Sequence, residues 1–121
     1  MNELITRIVT VLYEKKAQKI AALDVSGMTV ITDCMVIANG RSTLQVKTLA
    51  AQVEDRLAEY GVFPLRKEGI HEGRWVVLDY GAVLVHLFHM DEREFYRLDK
   101  LWDNGSNLLT LPFVQEEQES R

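Results

Sequence analysis

Histidines are the first side chains of this sequence to test for metal chemistry, and they are His71, His86 and His89. His86 and His89 are three residues apart in a predicted strand, where successive side chains point to opposite faces. Two residues at that spacing cannot bind one metal ion from a regular strand. His71 follows in a predicted loop, where we expect it to be solvated. We therefore predict no metal site here, and a hydrogen-bonded strand position for His86.

Carboxylates that follow or precede strands are the second candidates, and they are Asp24, Asp33 and Asp79. Metal-dependent phosphoryl transfer needs two carboxylates close together, often one residue apart on one face of a strand. Asp33 is followed by Cys34 and Met35, so no second acid stands two residues on. The spacing favours carboxylates that cap turns over catalytic acids.

Sequence motifs of nucleotide and hydrolase sites are the third test. The chain has no GxGxxG, no GxxxxGKS or GxxxxGKT, no GxSxG and no HExxH. Cys34 is the single cysteine, so no intrachain disulfide or cysteine metal cluster can form, and an inert buried thiol is expected. The motifs of these enzyme classes are therefore missing from the sequence.

Composition narrows the class of protein. The 121 residues fit one domain, with 47% hydrophobic and 26% charged residues. The net charge of −4 argues against independent binding to DNA or RNA, which needs a basic patch, and is compatible with a basic protein partner. The N-terminus does not have the pattern of a signal peptide, and no apolar run is long enough for a membrane span. We expect a cytoplasmic protein.

Apolar spacing predicts the elements that position these residues. Helices are predicted over 3–15, from the cap Ser42 to Tyr60, and from Asp91 to Trp102; strands are predicted over 19–25, 33–40 and 62–67, followed by a hairpin over 74–89. Pro64 lacks an N–H, which favours an edge position for the third strand. This order predicts an α/β (α+β) fold, with a mixed five-stranded sheet and helices packed on it.

The end of the chain is predicted to divide into a packed and an unpacked part. Core positions are predicted for four residues of the last helix: Phe95, Leu98, Leu101 and Trp102. Residues 104–121 have no periodicity and include a run of acidic and polar residues, so a flexible tail is expected. The predicted domain covers residues 1–103.

The hairpin RWVVLDYGAVLVHLFH, at 74–89, is apolar on both of its faces. In its first strand Trp75, Val77 and Asp79 alternate with Val76, Leu78 and Tyr80, and in its second Ala82, Leu84, His86 and Phe88 alternate with Val83, Val85 and Leu87. A central pair of strands covered by helices on both sides would explain this. An exposed surface that binds another protein would explain it equally well.

Two blocks of the sequence resemble a known family. The run WVVLDYGAVLVHLFHMDEREFYRLDKLW, at 75–102, is similar to the signature of the ribosomal silencing factor family (RsfS, or Iojap). The block TDCMVIANGRSTLQVKTLA, at 32–50, resembles the Ser-Asp-aromatic-Val-Ile block of the same family, with Thr32 and Met35 as mild departures. The Glu-Gly of another family block corresponds to Glu68 and Gly69. The resemblance covers about residues 3–103.

The resemblance implies a fold similar to that of nucleotidyltransferases, without their catalytic acids, which agrees with the failed search for paired carboxylates. On this basis we predict a protein that is not an enzyme and uses no cofactor. The resemblance also implies binding to the large ribosomal subunit through large-subunit ribosomal protein fourteen. There, members of the family sterically prevent subunit joining and slow translation when nutrients are short. Mitochondrial relatives act in large-subunit assembly, and members can form homodimers when they are free.

On this basis the sequence predicts a set of residues that contact the ribosomal protein: Trp75, Leu78, Asp79, Tyr80, His86, Phe88, Arg93 and Tyr96. Trp75 and Tyr80 would be anchors, and Asp79 would pair with a cation of the partner, unless Arg93 pairs with it to hold the turn. Burial in the core remains an equal alternative for His86 and Phe88. Two rival functions stay open, a nucleotidyltransferase-like enzyme and an assembly factor that contacts ribosomal RNA directly.

Overall fold

A five-stranded mixed sheet with helices on both faces forms the fold, in a computed structural model that describes residues 2–115 without the side chains of Glu94, Phe95, Tyr96 and Asp99. The elements are α1 (Glu3–Glu14), β1 (Gln18–Asp24), β2 (Cys34–Gly40), α2 (Thr43–Ala58), β3 (Arg66–Glu68), β4 (Trp75–Asp79), β5 (Val83–His89), α3 (Met90–Tyr96) and α4 (Leu98–Trp102). The strand order is β1-β2-β5-β4-β3, with β2 and β5 parallel and the other pairs antiparallel. The predicted fold class is confirmed.

The first face of the sheet is buried under α1 and α2. Apolar residues recur along both helices at steps of three and four, and they pack against one alternating set of each strand. In the hairpin, this set is Val76, Leu78, Tyr80, Val83, Val85 and Leu87. The helix α2 begins as predicted, because the Ser42 hydroxyl accepts a hydrogen bond from Gln45 N at 3.0 Å. The main core of the protein therefore lies on this face.

The second face carries a smaller core under α3 and α4. Leu23, Val25, Met35, Ile37 and Phe88 are buried there, and four further side chains pack around them: Trp75, Leu84, Leu98 and Trp102. The sequence predicts one helix from Asp91 to Trp102, and this is wrong.

Arg97 breaks that predicted helix in two, because it adopts the left-handed conformation with φ +51°. A left-handed residue turns the chain, so α4 does not continue α3 as one helix. Leu101, predicted to be buried, is 70% exposed as a result. The predictions made for the side chains of Phe95 and Tyr96 lie outside the described residues.

The third strand is shorter and later than predicted. It contains three residues, Arg66–Glu68, whereas the sequence predicts a strand over 62–67. Val62 N bonds back to Leu57 O, which closes α2, and Pro64 has no N–H to donate to a ladder. The edge position is confirmed, since β3 pairs with β4 alone among the described strands.

The segment that follows α4 returns to the sheet. Leu108 forms a bridge with Leu23, Leu109 N donates to Ala22 O, and the Gln115 side chain bonds both the N–H and the C=O of Ile20. Leu109, Leu111 and Phe113 pack against the main core. The sequence predicts a flexible tail over 104–121; its described part is instead attached along β1, and residues 116–121 lie outside the described residues.

Candidate functional site

The second face of the sheet is left partly open on the side of β4 and β3. The half-exposed side chains there are Trp75, Val77 and Asp79 of β4 and Leu84 of β5. The register brings them together, because Asp79 pairs directly with Leu84 and directly paired residues share a face. We refer to these four residues as the uncovered face. Exposed Arg66 and Glu68 of β3 border them, because they pair directly with Asp79 and Val77. The helices α3 and α4 cover the neighbouring part of the sheet, over β1, β2 and the end of β5 at Phe88.

Trp75 closes the inner border of the uncovered face. Its indole stacks on the ring of buried Phe88, with centroids 5.0 Å apart, and its Nε1 donates to His86 Nδ1 at 3.1 Å. Since Nδ1 accepts, the neutral imidazole carries its proton on Nε2. Burial lowers the pKa of His86 to about 4, so the ring is neutral at physiological pH. The predicted hydrogen-bonded strand position of His86 is confirmed.

Asp79 closes the outer border, beside the β4–β5 turn. One carboxylate oxygen accepts from Gly81 N at 2.8 Å, and the other from Arg66 Nη2 at 3.1 Å. Gly81 has φ +81°, the left-handed conformation that this turn requires. Arg93 does not hold the turn, because its guanidinium donates to Lys19 O and, at 3.1 Å, to Asn39 Oδ1. The predicted alternative in which Arg93 pairs with Asp79 is therefore wrong.

Several predicted contact residues are buried in the folded chain. Leu78 and Phe88 are completely buried, while Tyr80, His86 and Arg93 are buried to more than nine-tenths. Leu78 and Tyr80 belong to the alternating set that faces α1 and α2, and burial raises the pKa of the Tyr80 hydroxyl. The expectation that Tyr80 acts as an exposed anchor is corrected accordingly. Trp75 and Asp79 keep part of their surface.

Two exposed apolar residues before β3 are not predicted by the sequence. Leu65 is 72% exposed and Phe63 is 65% exposed. Leu65 lies against the β4–β5 turn: its N donates to Asp79 O, and its Cδ1 would be 3.5 Å from a Cβ built on Gly81. The sequence predicts a strand over 62–67, whereas both residues lie before β3, which begins at Arg66. The sequence signal for an irregular extension at this point is the apolar run 62–65, which Pro64 interrupts.

Strand-end carboxylates form turns, as the sequence predicts. Asp24 accepts hydrogen bonds from Ser26 N and Ser26 Oγ, which lower its pKa. Asp24 and Asp33 line a cavity of about 490 Å³ together with Cys34, whose thiol pKa burial raises to about 11. Among the described residues no group of three or more His, Cys, Asp and Glu side chains could hold a metal ion. Within the same part of the chain no helix is long and apolar enough to cross a bilayer.

Comparison with protein-family models gives a match over the full chain. Residues 1–121 match the family described as "Ribosomal silencing factor during starvation". The resemblance identified in the sequence is therefore confirmed by an independent comparison that extends past its limit of about residue 103.

Individual relatives carry the same name. A ribosomal silencing factor of Bacillus subtilis is 43% identical over 92 residues, covering 76% of this chain and 78% of the relative. One of Halalkalibacterium halodurans is 40% identical over 104 residues, covering 86% and 89%. A crystal structure of a protein from Chromobacterium violaceum superposes with a TM-score of 0.82 at 32% identity, covering 94% of this chain and 95% of that one.

Proposed function

Because the chain belongs to the ribosomal silencing factor family, we propose that it binds the large ribosomal subunit and prevents it from joining the small subunit. The proposed contact is with large-subunit ribosomal protein fourteen, and the proposed result is repression of translation when nutrients are limiting. The proposed place of action is the cytoplasm. Ribosomal silencing is what the names of the relatives state; the partner protein and the mechanism are the proposal.

The uncovered face is the observation that carries this proposal. It combines a tryptophan, two aliphatic side chains and a carboxylate on a rigid sheet, next to exposed Leu65. Aromatic and aliphatic groups on a rigid platform supply most of the free energy of protein association, and a polar rim sets orientation. Trp75 is well suited as an anchor, because its ring is already fixed by Phe88 and His86 and loses little side-chain entropy on binding.

Charge supports a basic protein as the partner. Asp79 is 16% exposed and its ion pair is with Arg66, a side chain that is 71% exposed. Such a surface pair contributes little to folding, so Arg66 can swing away and leave Asp79 to a lysine or arginine of the partner. The net charge of −4 favours approach to a basic ribosomal protein over approach to bare RNA.

Steric exclusion of the small subunit is the proposed mechanism, and it needs no catalytic step. The domain would occupy space that the small subunit requires, and the subunits could join once it dissociates. We propose that the protein is not an enzyme, in keeping with the turn-forming role of Asp24 and Asp79. A nucleotidyltransferase-like enzyme remains the rival from another class, and it requires binding of a nucleoside triphosphate with a metal ion, which calorimetry would detect.

A pull-down with purified large-subunit ribosomal protein fourteen tests the proposal. We expect wild type to bind, and Val77→Glu and Leu84→Glu to lose binding because each places a charge in the uncovered face. Leu44→Glu is the matched control: Leu44 lies on α2 and is already 72% exposed, so binding should persist. Failure of wild type to bind contradicts the partner, and unchanged binding by the two face variants contradicts the surface.

Sedimentation through sucrose gradients tests the mechanism separately. Wild type should travel with free large subunits and lower the fraction of joined ribosomes, whereas Val77→Glu should do neither. A protein that binds large subunits without changing the joined fraction would instead support the alternative role in large-subunit assembly.

A further inference from the structure

A cavity of about 390 Å³ opens on the opposite edge of the sheet from β3. Its walls come from the end of α1, the start of β1, the residue after β2 and the segment at 115. Three cationic side chains line it, those of Lys16, Lys19 and Arg41. They are separated by up to 25 positions in the sequence, so no local sequence pattern predicts the cluster.

The three cations lack a carboxylate partner among residues 2–115. Within the part of the chain that the structure describes, none of them forms an ion pair with a carboxylate. Arg41 is held by a neutral group, the Gln18 side-chain oxygen, which accepts from its Nη2 at 2.8 Å. Glu14 also lines the cavity, but its carboxylate is paired with Arg56 at 2.8 Å. The cavity is therefore a local site of positive potential on an acidic protein.

Two of the three cations lie at backbone positions with positive φ. Lys16 has φ +69° and Lys19 has φ +50°, left-handed values that cost a residue other than glycine roughly 1 kcal/mol each. The dipole of α1 accounts for a cation just past its C-terminus, which is the position of Lys16. It does not account for Lys19 or for Arg41. Buried Arg93 of α3 donates to the carbonyl of Lys19, which ties this part of β1 to α3.

An aromatic ring forms one wall of the cavity. Tyr13 is 43% exposed, and one face of its ring stacks on Phe113, with centroids 4.2 Å apart and an interplanar angle of 16°. Stacking holds the ring in place and leaves the rest of its surface in the cavity. A basic groove beside a fixed aromatic ring is the arrangement by which proteins bind unpaired nucleotides, with phosphates on the cations and a base on the ring.

We propose that this cavity binds the phosphate backbone of an unpaired RNA segment of the large subunit, with a base stacked on Tyr13. The choice of RNA over a free nucleotide rests on the proposed function, because the subunit surface presents RNA at high local concentration. The cavity and the uncovered face lie at opposite edges of the sheet, so RNA and the ribosomal protein can be bound at the same time. The second contact would fix the orientation of the domain on the subunit.

Fluorescence anisotropy with labelled oligouridine and the full chain tests this proposal. With three cations engaged, the slope of log K against log salt should be about −2, at roughly −0.7 per phosphate on single strands. The double variant Lys19→Gln/Arg41→Gln should weaken binding by about tenfold or more. Lys67→Gln is the matched control, since it removes one charge on β3, at the other edge of the sheet, and should leave binding unchanged.

Tyr13 variants test the stacking part. Tyr13→Phe should bind oligouridine as wild type does, and Tyr13→Ala should bind it more weakly, with circular dichroism to confirm that both are folded. Competition with unlabelled UTP tests the source of the phosphate. If UTP displaces the labelled RNA at the same concentration as unlabelled oligouridine does, the RNA assignment is overturned. The longer backbone of the RNA would then add nothing to the affinity.

Three further outcomes separate this inference from the proposed function. Absence of oligouridine binding, or equal binding by the double variant, overturns the RNA site whatever happens at the ribosome. If the double variant still pulls down the ribosomal protein while losing oligouridine, the two surfaces are independent, as proposed. If wild type binds oligouridine but not the ribosomal protein, the proposed function fails while the RNA site stands.

Discussion

The indole Nε1 of Trp75 donates a hydrogen bond to Nδ1 of His86 over 3.1 Å, across the β4–β5 pair. This bond assigns the imidazole proton to Nε2 and ties the half-buried tryptophan to a buried strand residue. The ring of Phe88 supports both, since it stacks on Trp75 and lies 6.3 Å from the ring of His86. The inner border of the uncovered face is therefore a rigid three-ring unit.

Loss of stability on mild acidification is the first prediction. His86 has a pKa of about 4 when folded, against about 6.5 in an unfolded chain, so the unfolded state binds the proton more strongly. The contribution of neutral His86 to the free energy of unfolding is complete above pH 6.5, and it is lost as the pH falls toward 4. Between pH 7.5 and 5.0 the free energy of unfolding should drop by about 2 kcal/mol from this residue. Urea titrations at the two pH values measure it.

His86→Leu is the variant for that test, and its stability should differ less between the two pH values. His71→Leu is the control, because His71 is exposed in a loop and should leave the wild-type pH dependence intact. Equal pH dependence in His86→Leu and wild type would contradict the assignment to His86.

Separate roles for neighbouring residues of β4 are the second prediction. Leu78 is completely buried against the helices, so Leu78→Ala should cost about 2–5 kcal/mol of unfolding free energy. Val77 is on the uncovered face, so Val77→Ala should cost less than about 1.5 kcal/mol while weakening binding to the ribosomal protein. Denaturant unfolding and a binding titration on the same samples measure both. The reverse pattern would mean that the faces are assigned the wrong way round.

Dependence of the β4–β5 turn on Asp79 is the third prediction. Asp79→Ala removes the acceptor of Gly81 N and the ion pair with Arg66, and should cost about 1–2 kcal/mol of unfolding free energy. Asp79→Asn keeps an acceptor for Gly81 N, and the exposed ion pair contributes little, so it should cost less than about 1 kcal/mol. Thermal unfolding of the two variants gives the comparison. Equal losses would show that the ion pair, and not the turn, is what Asp79 provides.

Attachment of the C-terminal segment is the fourth prediction. Truncation after Asp103 removes Leu109, Leu111 and Phe113 from the main core, and should lower the free energy of unfolding by about 2–4 kcal/mol. Gln115→Ala should cost about 1–2 kcal/mol, because the N–H and C=O of Ile20 lose their partners.

Val114→Ser is the control for these changes, since Val114 is 87% exposed and its substitution should be neutral. Guanidinium titrations compare the variants with wild type. A truncated chain as stable as wild type would support the domain boundary at 103 that the sequence predicts.

Periodic patterns in the sequence were sufficient for the order of elements and the class of the sheet. Helical spacing identified α1 and α2, and the Ser42 cap defined where α2 begins. Local patterns predict these two helices correctly because the apolar stripe and the cap that define a helix lie within its own sequence or next to it. The break at Arg97 could not be predicted, because an arginine in the left-handed conformation has no local sequence signature.

The sequence also does not determine which side of the hairpin is exposed. Leu78 and Val77 are both apolar strand residues, and which of them is buried depends on where α1 and α2 pack. The basic cavity could not be predicted from the sequence for a similar reason, since folding brings Lys16, Lys19 and Arg41 together from three different elements or connections. Net charge describes the whole chain and is silent about such local clusters.

Both edges of the sheet are closed to strand addition, by different means. The outer edge, β3, has three residues, all charged, which is too short and too polar to template another strand. The other edge, β1, has its backbone groups engaged by the returning segment at Asn107, Leu109 and Gln115. Another protein therefore cannot extend this sheet and must dock on its surface. Recognition then depends on side chains, so it can be altered by single substitutions in a way that backbone pairing cannot.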